Sequence, residues 1–286
     1  VSRNLALQFL IINYYAGDLI AQFLISLQGL SIKHGVTIVN NSPGDRSIQN
    51  LNYPNLEIIE AGSNLGFGRA CNLGLYSIYT RSVANVVWLV NPDAYFLAED
   101  IVKIPDLLTG IASYPIVGTA IYDEGGALSF SGGKFDRFWG TIGEEKTEKA
   151  TTITPIEWVS GCSMILNLGY FRECPQFDED FFLYYEDFEF CQRYLHQGYA
   201  VVVSHQVKVI HHRSSLTSQL PDKLSHEIFS YLLALYKQSS KFSLYYRLIR
   251  ISITSIGQIL VLHPQGIEKL KGVKNFIQFY LAHSRK

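Results

Sequence analysis

The sequence predicts an α/β protein: a mostly parallel central sheet flanked by helices, followed by a helical C-terminal appendage. Three observations predict it. In the first 120 or so residues, short apolar runs alternate with helical patterns, the order that builds a parallel sheet covered by helices. The run "ANVVWLV" is apolar without a break, as a strand buried on both faces must be. From Asp222 the pattern turns helical and the charge changes sign: ten Lys/Arg against three Asp/Glu give +7, which leaves −8 on the preceding part of a chain whose net charge is −1.

Each element follows in order. "LALQFLIINY" reads as the first strand. "DLIAQFLISLQGL" reads as a helix with Asp18 at its N-cap and Leu19, Ile20, Phe23, Leu24 and Leu27 along one stripe. "GVTIVN" and "NLEIIEA" are the next two strands, and "GFGRACNLGLYSIYT" is a helix that leads into "ANVVWLV". A helix from Ile101 to Ala112 and the strand "PIVGTAIY" come next. Residues 123–155 are Gly-rich and charged and read as mobile loops with a hairpin, before a strand at "WVSGCSMILN". Helical spacing resumes at Tyr185, with Phe188, Cys191 and Leu195 on one face and Gly198 as the stop. "YAVVVS" and "VKVIHH" read as two short strands that close a catalytic domain over residues 1–221. Residues 222–286 form a basic amphipathic region of about three helices, broken near 239–241 and at Pro264.

Composition excludes several classes. With 48% hydrophobic and 17% charged residues the chain buries a core and is not disordered, and no nucleic acid is expected as a partner. Cys71, Cys162, Cys174 and Cys191 form no C-x-x-C pair and sit in apolar or mixed segments, so they read as buried free thiols in a reducing, cytoplasmic compartment. No secretory signal is evident at the start. "LIRISITSIGQILVLH" is too interrupted to reach the ~20 apolar residues of a membrane span.

The candidate site lies past the carboxyl ends of the strands, where open α/β sheets bind ligands. Asn13, Tyr15, Asn40, Asn41, Asn64, Asn91 and Asp93 all fall there. Gly66, Arg69 and Asn72 follow in "GSNLGFGRACNLG", whose glycine spacing is not that of a dinucleotide fingerprint; its glycines suit close helix packing, and its polar residues suit a phosphate or ribose. Asp93 suits a hard divalent cation over a diphosphate, the alternative being a turn former. "VKVIHH" sends one histidine to each side of its strand, so only one can join Asp93. In "FDEDFFLYYEDFEF" six carboxylates share a segment with seven aromatic rings, which suits a desolvated general base beside a sugar; carboxylates stabilised by a helix N-terminus are the alternative.

The ordered set "IINYYAGD", "IVNNSPGD", "SNLGFGRACNLGL", "WLVNPDA", "WVSGCSMIL", "FDEDFFLYYEDFEFCQR" and "VIHHRSS" resembles the family 2 glycosyltransferases, especially the bacterial rhamnosyltransferase-like group, from Leu5 to Ser215. The resemblance implies a GT-A fold with a Rossmann-like nucleotide-binding half, a nucleoside-diphosphate-sugar donor, a Mg²⁺ or Mn²⁺ ion, and inversion at the anomeric carbon. The acceptor it implies is a glycan or lipid-linked saccharide in cell-surface polysaccharide synthesis, with rhamnose among the candidate sugars. By position Asp93 matches the second acid of the family's metal motif, with Asn91 in place of the first, and His211 matches its metal-facing histidine. Asp187 with Glu186 matches the pair that supplies the base, and Asn40 replaces the usual acid near the nucleobase. Gly161 and Cys162 are placed on the acceptor side, with Trp158 or Trp139 as a sugar-stacking ring and a core role as the alternative. A sugar nucleotidyltransferase lacks support because no Gly-rich, Lys-bearing loop follows the first strand. The Asn at 91 keeps a catalytically silent sugar-binding module as the rival from another class. The tail lies outside the resemblance and reads as a peripheral contact with an anionic membrane surface, or as a packing or homodimer interface.

Overall fold

A computed structural model describes residues 5–148, 152–212 and 222–283. Four parallel strands form one half of the sheet: β1 (Leu5–Asn13), β2 (His34–Asn40), β3 (Leu56–Glu60) and β4 (Ala84–Val90), in the order β3-β2-β1-β4. Beyond β4 the order runs through β11 (Ser163–Asn167), β6 (Ile116–Tyr122), β12 (Val201–His211) and β10 (Ile153–Pro155). β11 is antiparallel to both neighbours, whereas β12 returns parallel to β6. Short strands β5 (Ala94–Phe96) and β7 (Leu128–Phe130) pair with β12 and β6, and β8 (Gly133–Asp136) with β9 (Thr141–Glu144) makes a separate hairpin.

Helices α1 (Gly17–Ser26), α2 (Phe67–Thr80), α3 (Ala98–Ile101), α4 (Ile104–Gly110) and α5 (Glu186–His196) cover the sheet, and α6 (Lys223–Gln238), α7 (Lys241–Leu260) and α8 (Gln265–His283) form the appendage. Phe9, Phe23, Trp88 and Phe96 interlock at the centre of the core, so β4 is buried as its unbroken apolar run requires. The Trp88 indole N–H donates to Ser163 Oγ at 2.9 Å, which satisfies its one polar atom and ties β4 to β11. Gly74 lets α2 lie against Leu10 and Val39, the close packing expected of that glycine-rich helix.

Four expectations change in detail. Asp18 lies in the first turn of α1; its start is held instead by Asn13 Oδ1, which accepts the N–H of Ala16 at 2.9 Å. The helix over 101–112 divides into α3 and α4, the second opening with Pro105 in its first turn, where a missing N–H costs nothing. The two closing strands are one, β12, whose register against β6 shifts between Ser204 and Lys208. Strand β11 begins only at Ser163; Trp158 makes an isolated antiparallel bridge with Gly133, and residues 159–162 turn toward the ligand edge. Residues 213–215 of the last motif lie outside the described residues.

The appendage packs on the domain through the acidic aromatic segment. Lys237 on α6 pairs with Asp178 and Asp180 at 2.6 Å each, and Ser230 Oγ donates to the Leu183 carbonyl at 2.7 Å. On its other side Phe182 meets the α2 start: its carbonyl accepts the Phe67 N–H at 3.0 Å, just after Gly66, whose φ is +83°. A Cβ on Gly66 would fall 2.3 Å from that carbonyl oxygen. Gly66→Ala is therefore expected to destabilise the fold by about 1–3 kcal/mol through strain and collision. Urea unfolding checks this; native stability would show that the 182–185 segment yields freely.

Candidate active site

A cleft of about 650 Å³ opens at the carboxyl ends of β1, β2 and β4. Its donor edge is organised by two asparagines. Asn41 Oδ1 accepts the Leu65 N–H at 2.8 Å, and its Nδ2 donates to Asn64 Oδ1 at 3.1 Å. Asn64 Oδ1 also takes the Gly66 N–H at 3.0 Å, so the turn into α2 is fixed from both sides. Behind this edge Asn13 donates to Asn40 Oδ1 and to Asp45 at 2.9 Å, and Asn40 donates to Glu60 at 2.9 Å.

Opposite lies the start of α5. Tyr184 and Tyr185 are both left-handed, with φ of 68° and 62°, an arrangement that non-glycine residues adopt at a cost. This double turn swings Glu186 and Asp187 into the cleft wall, while Phe177, Phe181, Phe188 and Phe190 sink fully into the core. The acids divide their roles accordingly. Asp178 and Asp180 hold Lys237, and Glu189 pairs with Arg193 at 2.9 Å. Only Glu186 and Asp187 of the six line the cleft.

These two neighbours differ in their hydrogen bonds. Asp187 Oδ2 accepts the Gly161 N–H at 2.8 Å and its Oδ1 accepts the Phe188 N–H at 2.7 Å. Burial raises its pKa, and the N–H groups of Gly161 and Phe188 oppose that rise by favouring the carboxylate. For Glu186 burial, then the charge of Asp187, push the pKa up to about 8. Its Oε2 is buried and finds no hydrogen-bond partner among the described residues. Burial and the neighbouring charge thus favour the protonated form of Glu186, whereas the two N–H groups favour the carboxylate of Asp187.

The third component stands at the end of β4. His211 Nε2 lies 3.1 Å from Asp93 Oδ1, while His212 turns away to Glu124 at 2.7 Å, as the strand's alternation requires. Burial opposes charge on His211, but contact with Cys162 and Asp93 raises its pKa to about 11. Among the described residues no three His, Cys, Asp or Glu side chains gather as a metal site. A carboxylate and an imidazole side by side fit a divalent cation once the cation has displaced the His211 proton, the remaining ligands being phosphate and water.

Of the residues singled out in the sequence, Asn41, Asn64, Gly66, Asn91, Asp93, Trp158, Gly161, Cys162, Glu186, Asp187 and His211 line one cleft. Asn13, Tyr15, Asn40, Arg69 and Asn72 do not. Asn13 and Asn40 are buried behind the edge, and the Tyr15 hydroxyl donates to the Pro43 carbonyl at 3.1 Å. Arg69 donates to the Glu179 carbonyl and Asn72 brackets the Phe177 backbone, so both fasten the acidic segment to α2. Trp158 is wall and core at once, packed on Phe130 with its N–H donated to Gly143, whereas Trp139 is on the outside against Phe242 and Tyr246. Glu144, Lys146, Tyr184, Lys223 and Glu227 also line the cleft and were not singled out. The first two come from the segment read as loops with a hairpin, in which no site residue was singled out. The last two come from the tail, which the motifs do not reach.

No family model matches the chain. Over 211 residues it is 24% identical to a hexosyltransferase of low-salt glycan biosynthesis from Haloferax volcanii, covering 72% of this chain and 67% of that protein. Over 237 residues it is 24% identical to the N-acetylglucosaminyl-diphospho-decaprenol L-rhamnosyltransferase of Mycobacterium tuberculosis, covering 73% and 77%. The crystal structure of a GalNAc transferase with UDP, GalNAc and Mn²⁺ superposes with a TM-score of 0.62 at 12% identity; 99% of this chain spans 57% of that one. At the level of fold and enzyme class these likenesses bear out the resemblance carried by the motifs.

The pair makes a stability prediction. With its pKa raised from 4.5 to about 8, Glu186 holds a proton in the folded state that the unfolded state has lost, so stability falls as pH rises between those values. Glu186→Gln removes that loss and is expected to raise stability at pH 8 by on the order of 1 kcal/mol or more. Thermal melts of both proteins across this window check it; parallel curves would mean that Glu186 ionises normally in the fold.

Proposed function

We propose that this chain, a glycosyltransferase of the GT-A fold, moves a hexosyl or rhamnosyl residue from a nucleoside-diphosphate sugar to a hydroxyl of a lipid-linked saccharide, with inversion. The observation that carries the reading is Asp187, a half-buried carboxylate oriented by the Gly161 N–H and lining the same cleft as Asp93 and His211. An acceptor hydroxyl placed on the Gly161 side gives its proton to Asp187 as its oxygen attacks the anomeric carbon. Attack from the side opposite the departing diphosphate inverts that carbon. Glu186, protonated beside it, keeps the local charge at one and leaves Asp187 as the proton acceptor.

On the donor side the Asn41–Asn64 clamp shapes the edge against which the nucleotide lies, and Asn91 adds a neutral amide in the place of the metal motif's first acid. Asp93 and His211 would hold a Mg²⁺ or Mn²⁺ ion, which when bound neutralises charge growing on the leaving diphosphate. The solved neighbour carries UDP and Mn²⁺ in the same fold, and the mycobacterial relative is named for a lipid-diphosphate acceptor, which supports both assignments. Among the described residues no helix is long and apolar enough to cross a membrane. The four cysteines are free, which supports a reaction on the reducing, cytoplasmic side.

Two outcomes test the reading. Asp187→Asn keeps the shape of the site, so kcat should fall about 100-fold or more while nucleoside-diphosphate affinity stays near native. Near-normal turnover in that variant removes Asp187 as the base. Asp93→Ala, or a chelator added to the native protein, should weaken nucleoside-diphosphate binding in calorimetry. Binding indifferent to both would take the metal out of the site.

A further inference from the structure

The appendage presents a surface that the reaction does not use. On α7, Phe242, Tyr246, Ile249, Ile253, Ile256 and Leu260 recur at helical spacing along one face, and all of them are exposed. Ile253 is 64% exposed and Leu260 79%. The opposite side of the same helix is where Ser243, Leu244 and Ser255 are buried, with Leu248 and Ile251 packed against the core. The stripe is thus left over after α7 has satisfied its own packing. Tyr245, Leu248, Ile249 and Ser252 share a side by helical spacing, and that side straddles both faces, since Leu248 packs inward.

Two extensions widen it. At the elbow between α7 and α8, Val261 and Leu262 are 74% and 91% exposed. At the other end, Phe138 and Trp139 of the β8–β9 turn stack edge-on and join Phe242 and Tyr246. Arg247 donates to the Trp139 carbonyl at 2.7 Å, which fixes this aromatic group to the helix. A contiguous apolar and aromatic patch of this length on a soluble face marks an interaction site.

Charge selects the partner. Between Glu227 and Glu268 the sequence holds no acidic residue, whereas Lys241, Arg247 and Arg250 fall in that interval beside Lys237, which is already paired with Asp178 and Asp180. Lys241 and Arg250 are exposed beside the stripe. Asp136, the acid next to the aromatic end, is occupied by the N–H groups of Phe138 and Trp139, both at 3.0 Å. A second copy laid face to face would bring these cations against their own kind. An anionic bilayer offers apolar chains to the stripe and phosphates to the cations.

We infer that the exposed face of α7, with the α7–α8 elbow and the Phe138–Trp139 turn, seats in the headgroup region of an anionic membrane. The surface deepens the reading of a lipid-linked acceptor and gives it a geometry: α6 of the same appendage contributes Lys223 and Glu227 to the cleft, so docking would present the cleft near the bilayer.

Flotation with phosphatidylcholine vesicles, with and without phosphatidylglycerol, tests it apart from any transfer reaction. The full chain should float with the anionic vesicles and be released by salt. Lys241→Glu and Arg250→Glu should each lower partitioning about fivefold or more, the worth of one basic residue at such a surface. The triple variant Ile249→Asp, Ile253→Asp, Ile256→Asp should stay with the soluble fraction while binding nucleoside diphosphate as the native protein does. If that variant fails to fold, quenching of Trp139 by brominated lipid in the native protein decides, with Trp139→Phe as the blank. Equal flotation of a folded triple variant overturns the inference, as does unquenched Trp139 or a native protein that ignores anionic vesicles at low salt. A native dimer that the triple variant disperses, without vesicle binding, assigns the face to a second copy. Loss of transfer with flotation intact would count against the proposed reaction and leave the surface standing.

Discussion

At the first turn of α5 one carboxylate, Glu186, is buried and its neighbour, Asp187, is half-buried, and the site is arranged around that constraint. Removing a carboxylate from water costs several kcal/mol unless it is neutralised or given hydrogen-bond donors. The chain does both, one for each residue. Asp187 receives the N–H groups of Gly161 and Phe188, and burial beside Asp187 favours the protonated form of Glu186. The left-handed pair Tyr184–Tyr185 stores strain to aim them, and α6 holds that segment through Ser230 and Lys237. The appendage is thus a brace for the turn that carries Glu186 and Asp187 into the cleft wall.

The antiparallel strand β11 matters for the same reason. Had the loop at 159–162 continued as strand, the Gly161 N–H would be spent on the sheet. Its early exit frees that donor for Asp187 and leaves Trp158 as a wall packed on Phe130 and Phe188. Gly161 itself permits the approach, since a Cβ there would stand 3.0 Å from the Phe67 ring. Strand topology, one N–H and the protonation state of a carboxylate are in this way consecutive links of one chain.

Much of this was legible in the sequence because it is written as periodicity. The alternating strands and helices, the three tail helices and the cluster at Asp93, His211, Glu186 and Asp187 all follow from pattern or motif. What was not legible depends on partners distant in sequence. Asn72 and Asn13 have the residue type of ligand contacts, yet they are spent on the Phe177 backbone and the Asn40–Asp45 turn, which no spacing shows. The joining of two apparent strands into β12 depends on a register shift against β6. Lys223 and Glu227 reach the cleft only because α6 folds back on α5, a tertiary contact outside every motif.

The central claim is that Glu186 carries the shared proton and Asp187 stands ionised to accept another. Isotope-edited infrared spectroscopy of the carboxyl stretch at neutral pH measures this directly. The native protein should show a buried protonated carboxyl band that disappears in Glu186→Gln and persists in Asp187→Asn. A band that survives in Glu186→Gln and vanishes in Asp187→Asn would place the proton on Asp187 and contradict the account.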